Sequence, residues 1–319
     1  MLKIPFTNLT VSPISLGTGG VGSSVGPDLS RELLDLYAES GGNLIDTAHS
    51  YGDWVPGERS VSEKTIGRWM KDRGNRHEIV ISTKGCDPII GGEPRPTRFT
   101  KAELLSDLDD SLKFLRTDYI DFYWIHKDEP DRSFGEILDT LSEERKKGKI
   151  RYYGCSNWSV ERMRAADEYC SGRGINPFAG DQVFWNAGVL ADRPFHSDTT
   201  GFVDAERYAY HRETGTVIFA YQAQAFGYFN RLFNGTLDKM NEGFKSFYAE
   251  EEMLRRFERM KKIMERTGLT VTQVVLGYLT GQAVPTIPIV GCQNKEQLRD
   301  SMTALSVALN AEQIKFIEG

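Results

Sequence analysis

Residues 43–52 are NLIDTAHSYG, in which a short apolar run ends at Asp46 and a loop then leads to Tyr51. Barrel enzymes build their chemistry on the C-terminal ends of parallel strands, so a titratable residue that closes an apolar run is a candidate site residue. The runs that follow the same plan are IVISTKG (79–85), which contains Lys84, and YIDFYWIH (119–126), which ends at His126. Three successive strand ends of this kind predict one shared site.

The chain alternates strand-like and helical segments along its length. The predicted strands are 14–16, 43–46, 79–83, 119–125, 150–156, 179–184, 216–221 and 286–290, after a hairpin in 3–16. The predicted helices are 30–40, 62–72, 100–115, 134–147, 160–170, 250–266 and 295–304. This alternation is typical of a parallel α/β sheet with right-handed crossovers.

We expect a single domain over residues 1–319, because no linker, repeat or low-complexity stretch divides the chain. Two insertions, 186–214 and 226–268, interrupt the alternation. Insertions in such folds usually lie in the loops over the active face.

Composition narrows the class of function. The chain has 319 residues, of which 39% are hydrophobic, enough for a sizeable core, and its formal net charge is −6. That charge argues against a nucleic-acid partner, because such binding depends on clustered Lys and Arg. The four cysteines show no zinc-like spacing, so no metal is predicted. Without a signal-peptide pattern or an apolar run near the roughly 20 residues that span a bilayer, we expect a cytoplasmic protein and no membrane partner.

The stretch GTGGVG at 17–22 matches GxGxxG, follows a strand and precedes a helix, so a Rossmann enzyme is a rival interpretation. Two observations count against it. Residues 23–28 intervene before the helix, with Pro27 in a loop-like setting, whereas a helix N-terminus should face the pyrophosphate. The residues TAHSYG after Asp46 also have no role in that fold. We therefore interpret 17–22 as a Gly-rich loop between strand and helix.

Several motifs occur in order and in matching strand context. They are DTAHSYG (46–52), GE (57–58), SEKTIG (62–67), STK (82–84), DYID (118–121), IH (125–126) and GKIRYYGCSN (148–157). This set resembles the aldo-keto reductases, from the N-terminal hairpin to about Leu305. The resemblance implies an α/β fold, a (β/α)8 TIM barrel with an N-terminal β-hairpin and extended βα loops. It also implies NAD(P)H-dependent reduction of an aldehyde or ketone to an alcohol by hydride transfer.

The four polar residues suit that chemistry. Tyr51 is the expected general acid, although a phenol with a pKa near 10 is a poor acid unless its anion is stabilised. Lys84 at the next strand end is placed to lower the pKa of Tyr51, and Asp46 supplies the counter-charge for Lys84. His126, expected to be neutral, would donate a hydrogen bond to the carbonyl oxygen and orient the substrate.

The resemblance also implies a set of cofactor contacts. They are Gly17, Thr18, Gly19, Asp46, Ser156, Asn157, Gln182, Tyr221, Gly291, Gln293, Gln297 and Ser301. Within this set, Ser156, Asn157 and Gln182 would bind the nicotinamide carboxamide, and Tyr221 would stack on the ring. The family usually follows that Tyr with Ser-Pro-Leu, and this chain has QAQAF at 222–226 instead, so the pyrophosphate contacts are open.

The expected cofactor is NADP(H), the family default, with NAD(H) as the alternative. Members that prefer NADP often place basic residues where this chain has Gly291 and Gln297, and Ser301 stands where an adenine-contacting Asn is common. Lys295 and Arg299 are near these positions but do not match them.

Aromatic and basic residues near the expected loops are the candidates for substrate contacts. Trp54 and Trp124, together with His126, are the predicted substrate contacts, and further candidates are Phe226, Tyr228, Arg95, Lys127 and Arg231. A sugar or small aldehyde is expected, acted on by a monomer or weak homo-oligomer. The alternatives are a regulatory subunit that binds a nicotinamide without turnover, and a lyase or epimerase that oxidises its substrate transiently and retains the cofactor.

Overall fold

The computed structural model describes residues 1–87, 98–191 and 200–319. Its strands, in chain order, are β1 (Leu2–Lys3), β2 (Thr10–Val11), β3 (Ser15–Gly17), β4 (Leu44–Asp46), β5 (Val80–Gly85), β6 (Ile120–Ile125), β7 (Ile150–Ser156), β8 (Gly180–Phe184), β9 (Val217–Tyr221) and β10 (Thr286–Gly291). Strands β3 to β10 run parallel in sequence order, and β10 pairs back with β3, so eight strands form a closed barrel. The predicted (β/α)8 barrel is confirmed.

Helices connect the strands around the barrel. They are α1 (Pro27–Glu39), α2 (Val61–Arg73), α3 (Lys101–Leu115), α4 (Gly135–Lys146), α5 (Val160–Arg173), α6 (Ala205–Thr214), α7 (Tyr228–Phe233), α8 (Glu242–Lys245), α9 (Glu250–Thr267), α10 (Val271–Thr280), α11 (Lys295–Met302) and α12 (Ala311–Glu318). Short 3-10 turns lie at Ala225–Gly227 and Leu237–Lys239.

Two helix starts differ from expectation in an informative way. α1 begins at Pro27, which the sequence pattern assigned to a loop; proline suits the first helical position because its missing N–H has no intrahelical partner there. At α3, a Thr at position 100 followed by a Glu at 103 predicts a capping box, and the Thr100 side chain accepts from the Glu103 N–H at 3.3 Å. The Glu103 carboxylate, however, accepts from the Thr100 hydroxyl at 2.8 Å, so the capping box is half formed.

Five helices were not predicted: α6, α7, α8, α10 and α12. α10 shows why: Val271–Thr280 is buried at eight positions, so it lacks the polar stripe that makes a helical period visible. α6 lies in the 186–214 insertion and is capped by Asp204, whose side chain accepts from the Arg207 N–H at 2.8 Å.

The N-terminal hairpin closes one end of the barrel. β1 and β2 pair antiparallel, with Leu2 opposite Val11, which confirms the predicted hairpin. Ile4 and Leu9 of its turn belong to the same buried cluster as Leu44 and Val217, which open their strands. The hairpin therefore covers the N-terminal ends of the strands and leaves the C-terminal ends to the site.

The barrel interior is filled by aromatic rings. Trp124 stacks on Phe122, with centroids 4.3 Å apart, and meets Phe219 edge-on at 4.8 Å. Glycines make this fit: a Cβ at Gly154 would lie 2.5 Å from the Trp124 ring, and one at Gly180 would lie 3.0 Å from it. The large indole is therefore held by the absence of side chains on the two strands after it.

A buried charge cluster fixes α6 to β8. Asp181 is fully buried and accepts from the Arg207 guanidinium, and its Oδ2 lies 3.1 Å from the His211 Nε2. Arg207 also donates to the Phe202 carbonyl at 2.9 Å, so its guanidinium is satisfied away from water.

Replacing Arg207 by Met should lower the free energy of unfolding by about 3–5 kcal/mol, because the Asp181 carboxylate loses its main counter-charge while remaining buried. Urea denaturation measures the change. Arg212→Met removes an exposed arginine of the same helix and should change stability by less than about 0.5 kcal/mol. Equal effects of the two substitutions would contradict a stabilising role for the cluster.

Candidate active site

The four residues singled out at the strand ends lie together at the C-terminal end of the barrel. Lys84 Nζ donates to Asp46 Oδ2 at 2.6 Å and to the Thr47 carbonyl oxygen at 2.6 Å. The same ammonium lies 4.9 Å from the centroid of the Tyr51 ring, and the Tyr51 and His126 rings meet edge-on at 6.0 Å. A cation, its counter-ion, a phenol and an imidazole thus share one space.

Asp46 is held from three directions. Its Oδ2 accepts from Lys84, and its Oδ1 accepts from the Ser82 hydroxyl and from Gln182 Nε2, both at 2.9 Å. The indole N–H of Trp124 donates to the Ser82 oxygen at 2.6 Å. Asp46 and Lys84 are almost fully buried, so each of these bonds replaces lost hydration. Sequence patterns assigned no role to Ser82 beyond its motif, because a cross-strand bond leaves no local signal.

The pKa directions fit a proton donor with a charged neighbour. Burial raises the pKa of Tyr51, the Lys84 charge opposes that shift, and the net direction is upward. The expected lowering by Lys84 is present but does not prevail. Burial lowers the pKa of Lys84, but the carboxylate of Asp46 outweighs it, so the pKa is raised and the amine stays charged. Tyr51 therefore remains protonated at neutral pH beside a permanent cation.

His126 is neutral at physiological pH. Burial lowers its pKa to about 4, with the charges of Lys84 and Lys127 acting in the same direction and Asp87 opposing them. This direction agrees with the neutral imidazole expected from the sequence.

Asp46, Tyr51, Lys84 and His126 are called the quartet below. A cavity of about 1260 Å³ opens over it, lined in part by Asp46, Tyr51 and His126. Its lining includes most of the predicted cofactor contacts: Gly17, Thr18, Gly19, Asp46, Ser156, Asn157, Gln182, Tyr221, Gly291, Gln293 and Gln297. Ser301 lies behind this wall, almost fully buried, where its hydroxyl donates to the Gln297 carbonyl at 2.9 Å. The Gly-rich loop after β3 and the loop after β10 adjoin because those two strands pair.

Three of the residues predicted to contact the nicotinamide, Ser156, Asn157 and Tyr221, are hydrogen-bonded to one another. Tyr221 donates its hydroxyl proton to Asn157 Oδ1 at 2.8 Å, and the Gly201 N–H donates to the same oxygen at 3.0 Å. Asn157 Nδ2 donates to the Ser156 hydroxyl oxygen at 2.9 Å. Asn157 has φ = +63°, a left-handed conformation that Asn tolerates better than most residues. The network positions these groups on the wall of the cavity.

The opposite wall comes from the 226–268 insertion and the residues before it. Phe226 stacks in parallel on Phe244, with centroids 4.3 Å apart. Gln222, Ala225 and Phe226 all have positive φ, between 52° and 54°. Three left-handed non-glycine residues in one loop indicate a backbone held by its surroundings. The departure from the family sequence at 222–226 therefore has a structural counterpart.

The described cations in the cavity lining are Lys127, which follows His126, and Arg231 and Lys239 on this wall. Among the described lining residues, the loop after β10 and the α11 helix contribute no Lys or Arg, and the charged residues there are Glu296 and Asp300 of α11. Lys295 is 2.7 Å from Glu32, and Arg299 is 3.7 Å from Glu296. Arg231 and Lys239 line the cavity from the insertion, and within the described ranges neither has a carboxylate partner.

The predicted substrate contacts separate into two groups. Trp54 is 48% exposed and lies 6.4 Å from the Tyr51 ring, at the rim. Trp124 has no exposed surface, so it offers nothing to a substrate, and we assign it to the support of Ser82 instead. Tyr228 is likewise buried inside the insertion, packed on Tyr248. Arg95 lies outside the described residues.

Two negative observations apply to the part of the chain that the structure describes. There, no cluster of three or more His, Cys, Asp or Glu side chains is arranged to hold a metal ion. In the same ranges, no helix has both the length and the apolar character needed to cross a membrane.

Comparisons with known proteins agree with this geometry. The model of the aldo/keto reductase family matches residues 13–319. The chain is 31% identical to the aldo-keto reductase ausK of Emericella nidulans, over 98% of this chain and 79% of the relative. It is 29% identical to the norsolorinic acid reductase stcV of the same organism, over 98% and 79%. It is 28% identical to an aryl-alcohol dehydrogenase [NADP(+)] of Phanerodontia chrysosporium, over 98% and 83%.

A buried network of His49, Glu63 and Asp107 lies beside the quartet and was not predicted from the sequence. His49, two residues before Tyr51, lies with Nδ1 3.6 Å from Glu63 Oε2 and Nε2 3.6 Å from Asp107 Oδ1. Burial lowers the pKa of His49, but the two carboxylates outweigh it and raise the pKa. When protonated, the ring links the loop that carries Tyr51 to Glu63 of α2 and Asp107 of α3.

This link predicts a pH-dependent contribution to stability. Because the folded-state pKa of His49 is raised, the contribution is complete below the unfolded value of about 6.5 and is lost as pH rises through the folded pKa. Thermal unfolding of the wild type and of His49→Asn should thus differ most at low pH and converge as pH increases. The exposed His77, replaced by Asn, is the matched control and should give no such trend. A difference that stays constant across pH would refute a charged His49.

Proposed function

The chain belongs to the aldo/keto reductase family of oxidoreductases, and we propose that it reduces an aldehyde or ketone to an alcohol with NAD(P)H. The observation that carries this proposal is the buried Lys84–Asp46 pair, 2.6 Å long, with its ammonium against the Tyr51 ring. Carbonyl reduction needs a hydride at carbon and a proton at oxygen. The bound nicotinamide supplies the hydride, and this chain supplies the proton.

Tyr51 acts as the general acid. Its raised pKa keeps the phenol protonated until the substrate oxygen gains charge. As the proton leaves, the Lys84 ammonium stabilises the phenolate oxygen electrostatically, which lowers the barrier where the charge develops. Asp46 holds Lys84 in position, and its bonds to Ser82 and Gln182 keep the carboxylate from moving toward the phenol.

His126 orients the substrate from the neighbouring strand end. Its ring contacts the edge of Tyr51 and lines the cavity, so it can reach a polar group on the substrate beside the phenol. Because the ring is neutral, it adds no second positive charge to the site.

The cavity suits a dinucleotide in extended form. Its lining runs from the quartet, past the amides of Asn157 and Gln182 and the Tyr221 ring, to the loop at Gly291. Gly291 has open space where a side chain would stand, and backbone N–H groups near a helix start suit a phosphate. We propose NADP(H) as the cofactor, with Arg231 and Lys239 supplying the cations that the β10 loop lacks.

The substrate class is a sugar or small aldehyde. The rim carries exposed aromatic surface from Trp54 and Phe244, at 48% and 45%. The names of the relatives, which include reductases and an aryl-alcohol dehydrogenase, extend the panel worth testing to aryl aldehydes.

Tyr51→Phe tests the proposed acid. It should lower kcat/KM by about 10²–10⁴-fold while leaving NADPH affinity within about threefold, because the hydroxyl is removed and the ring remains. Tyr152→Phe, a change remote from the cavity at the hairpin, is the control. Turnover and fluorescence-monitored binding give the two quantities, and near-wild-type turnover in Tyr51→Phe would eliminate the assignment. Wild-type binding without turnover across the panel would favour a regulatory subunit, and copurified nucleotide without net redox change would favour a lyase or epimerase.

Arg231→Ala tests the proposed source of positive charge. Loss of a charged contact to the 2′-phosphate should weaken NADPH binding by about tenfold or more and NADH binding by much less. Arg299→Ala is the matched control, because Arg299 is near Glu296 and should not affect selectivity. Equal losses for both nucleotides would place Arg231 at the pyrophosphate instead, and a selective loss in Arg299→Ala would reassign the 2′-phosphate contact.

A further inference from the structure

Asp87 lies beside the quartet without a role in the mechanism above. It follows β5, and its Oδ2 accepts from the Ser50 hydroxyl at 2.7 Å. The same oxygen lies 3.5 Å from His126 Nδ1. Ser50 precedes Tyr51, so three successive strand ends contribute one side chain each to a Ser50–Asp87–His126 group.

His126 Nδ1 is buried and has no hydrogen-bond partner in the structure. A buried nitrogen without a partner is costly, whether it carries a proton or a lone pair. The Asp87 carboxylate offers lone pairs only, so it stabilises a proton on Nδ1 and repels a lone pair there. A small movement would convert the 3.5 Å separation into a hydrogen bond, as apo sites often do on binding substrate.

Other charges around the ring do not reverse this preference. Lys84 and Lys127 face it as cations and Asp46 as an anion, and they act on its total charge. Asp87 is the carboxylate in direct contact with one of its two nitrogens. The single proton of the neutral ring therefore belongs on Nδ1.

We propose that Asp87, held by Ser50, is a positioning residue that keeps His126 as the Nδ1–H tautomer, so that Nε2 presents a lone pair to the cavity. His126 then accepts a hydrogen bond from the substrate, in place of the donor role expected from the sequence. With Tyr51 donating to the carbonyl oxygen, the site selects a carbonyl compound with a hydroxyl on the adjacent carbon. This inference rests on the proposed reductase function.

The geometry of the ring supports that assignment of nitrogens. The His126 side chain is 14% exposed and lines the cavity, while Nδ1 is among its buried atoms. Nε2 is thus the nitrogen on the cavity side. In a 2-hydroxy aldehyde or ketone the two oxygens are close together, so one substrate can meet Tyr51 and Nε2 at the same time.

A matched trio of substrates isolates the hydroxyl proton. In 2-hydroxyacetophenone, 2-methoxyacetophenone and acetophenone, the methoxy compound keeps the second oxygen but cannot donate. The wild type should prefer the hydroxy over the methoxy ketone by about tenfold in kcat/KM, the ratio that one hydrogen bond supplies. Asp87→Ala should reduce this preference to about twofold or less, because the proton on Nδ1 loses its acceptor. Asp131→Ala, an exposed control, should retain the preference.

Asp87→Asn provides a rescue, because its amide oxygen can still accept from Nδ1–H and should restore part of the preference. An unchanged preference in both Asp87 variants would overturn the proposal.

A second measurement needs no turnover. Nitrogen NMR of the His126 ring should show the proton on Nδ1 in the wild type and a shift toward Nε2 in Asp87→Ala. A protonated Nε2 in the wild type would overturn the tautomer assignment even if the enzyme is active. A protonated Nδ1 in a protein that reduces none of the ketones would refute the reductase function while leaving the Asp87 assignment supported.

Discussion

The buried ion pair between Lys84 and Asp46 is the constraint on which the rest of the site depends. Two charges inside a barrel are tolerated only when every remaining lone pair and proton has a partner. Ser82 and Gln182 meet that condition, and Trp124 holds Ser82 in turn. The aromatic filling of the barrel and the proposed proton-donating site are therefore one connected structure. A core substitution under the pair is expected to affect chemistry as directly as a change in the cavity wall.

Sequence alone recovered the features that have local signals. The strand ends at Asp46, Lys84 and His126 could be predicted because an apolar run that ends at a titratable residue is a pattern of about eight consecutive residues. Each of the eight barrel strands was predicted near its observed position, because each is a short apolar run in an alternation with helices. α10 was missed because a helix buried on all sides shows no alternation of apolar and polar residues at helical spacing. The start of α1 was misplaced because Pro27 suits both a loop and a first helical turn.

Long-range partnerships could not be recovered. Arg231 reaches the cavity from an insertion whose path no periodicity reveals, although its charge was visible in the sequence. Trp124 was misassigned because strand alternation does not tell an inward ring from one at the rim. In our proposal, Asp87 at another strand end decides whether His126 donates or accepts a hydrogen bond at the substrate. A tautomer of this kind has no sequence signature. Contacts between atoms of residues far apart in sequence can be identified only in the folded barrel.

Closure of the barrel by β3 and β10 has a consequence for how the protein matures. Asp46, Lys84 and His126 are available early in synthesis, but Gly17 and Gly291 become neighbours only when the last strand joins the first. The cavity that we propose for the nucleotide straddles that seam, with both glycines in its lining. A nucleotide bound across this seam would stabilise chains in which β10 has paired with β3. In our proposal, a chain that lacks its last strand would have Asp46, Lys84 and His126 in place but an incomplete nucleotide site.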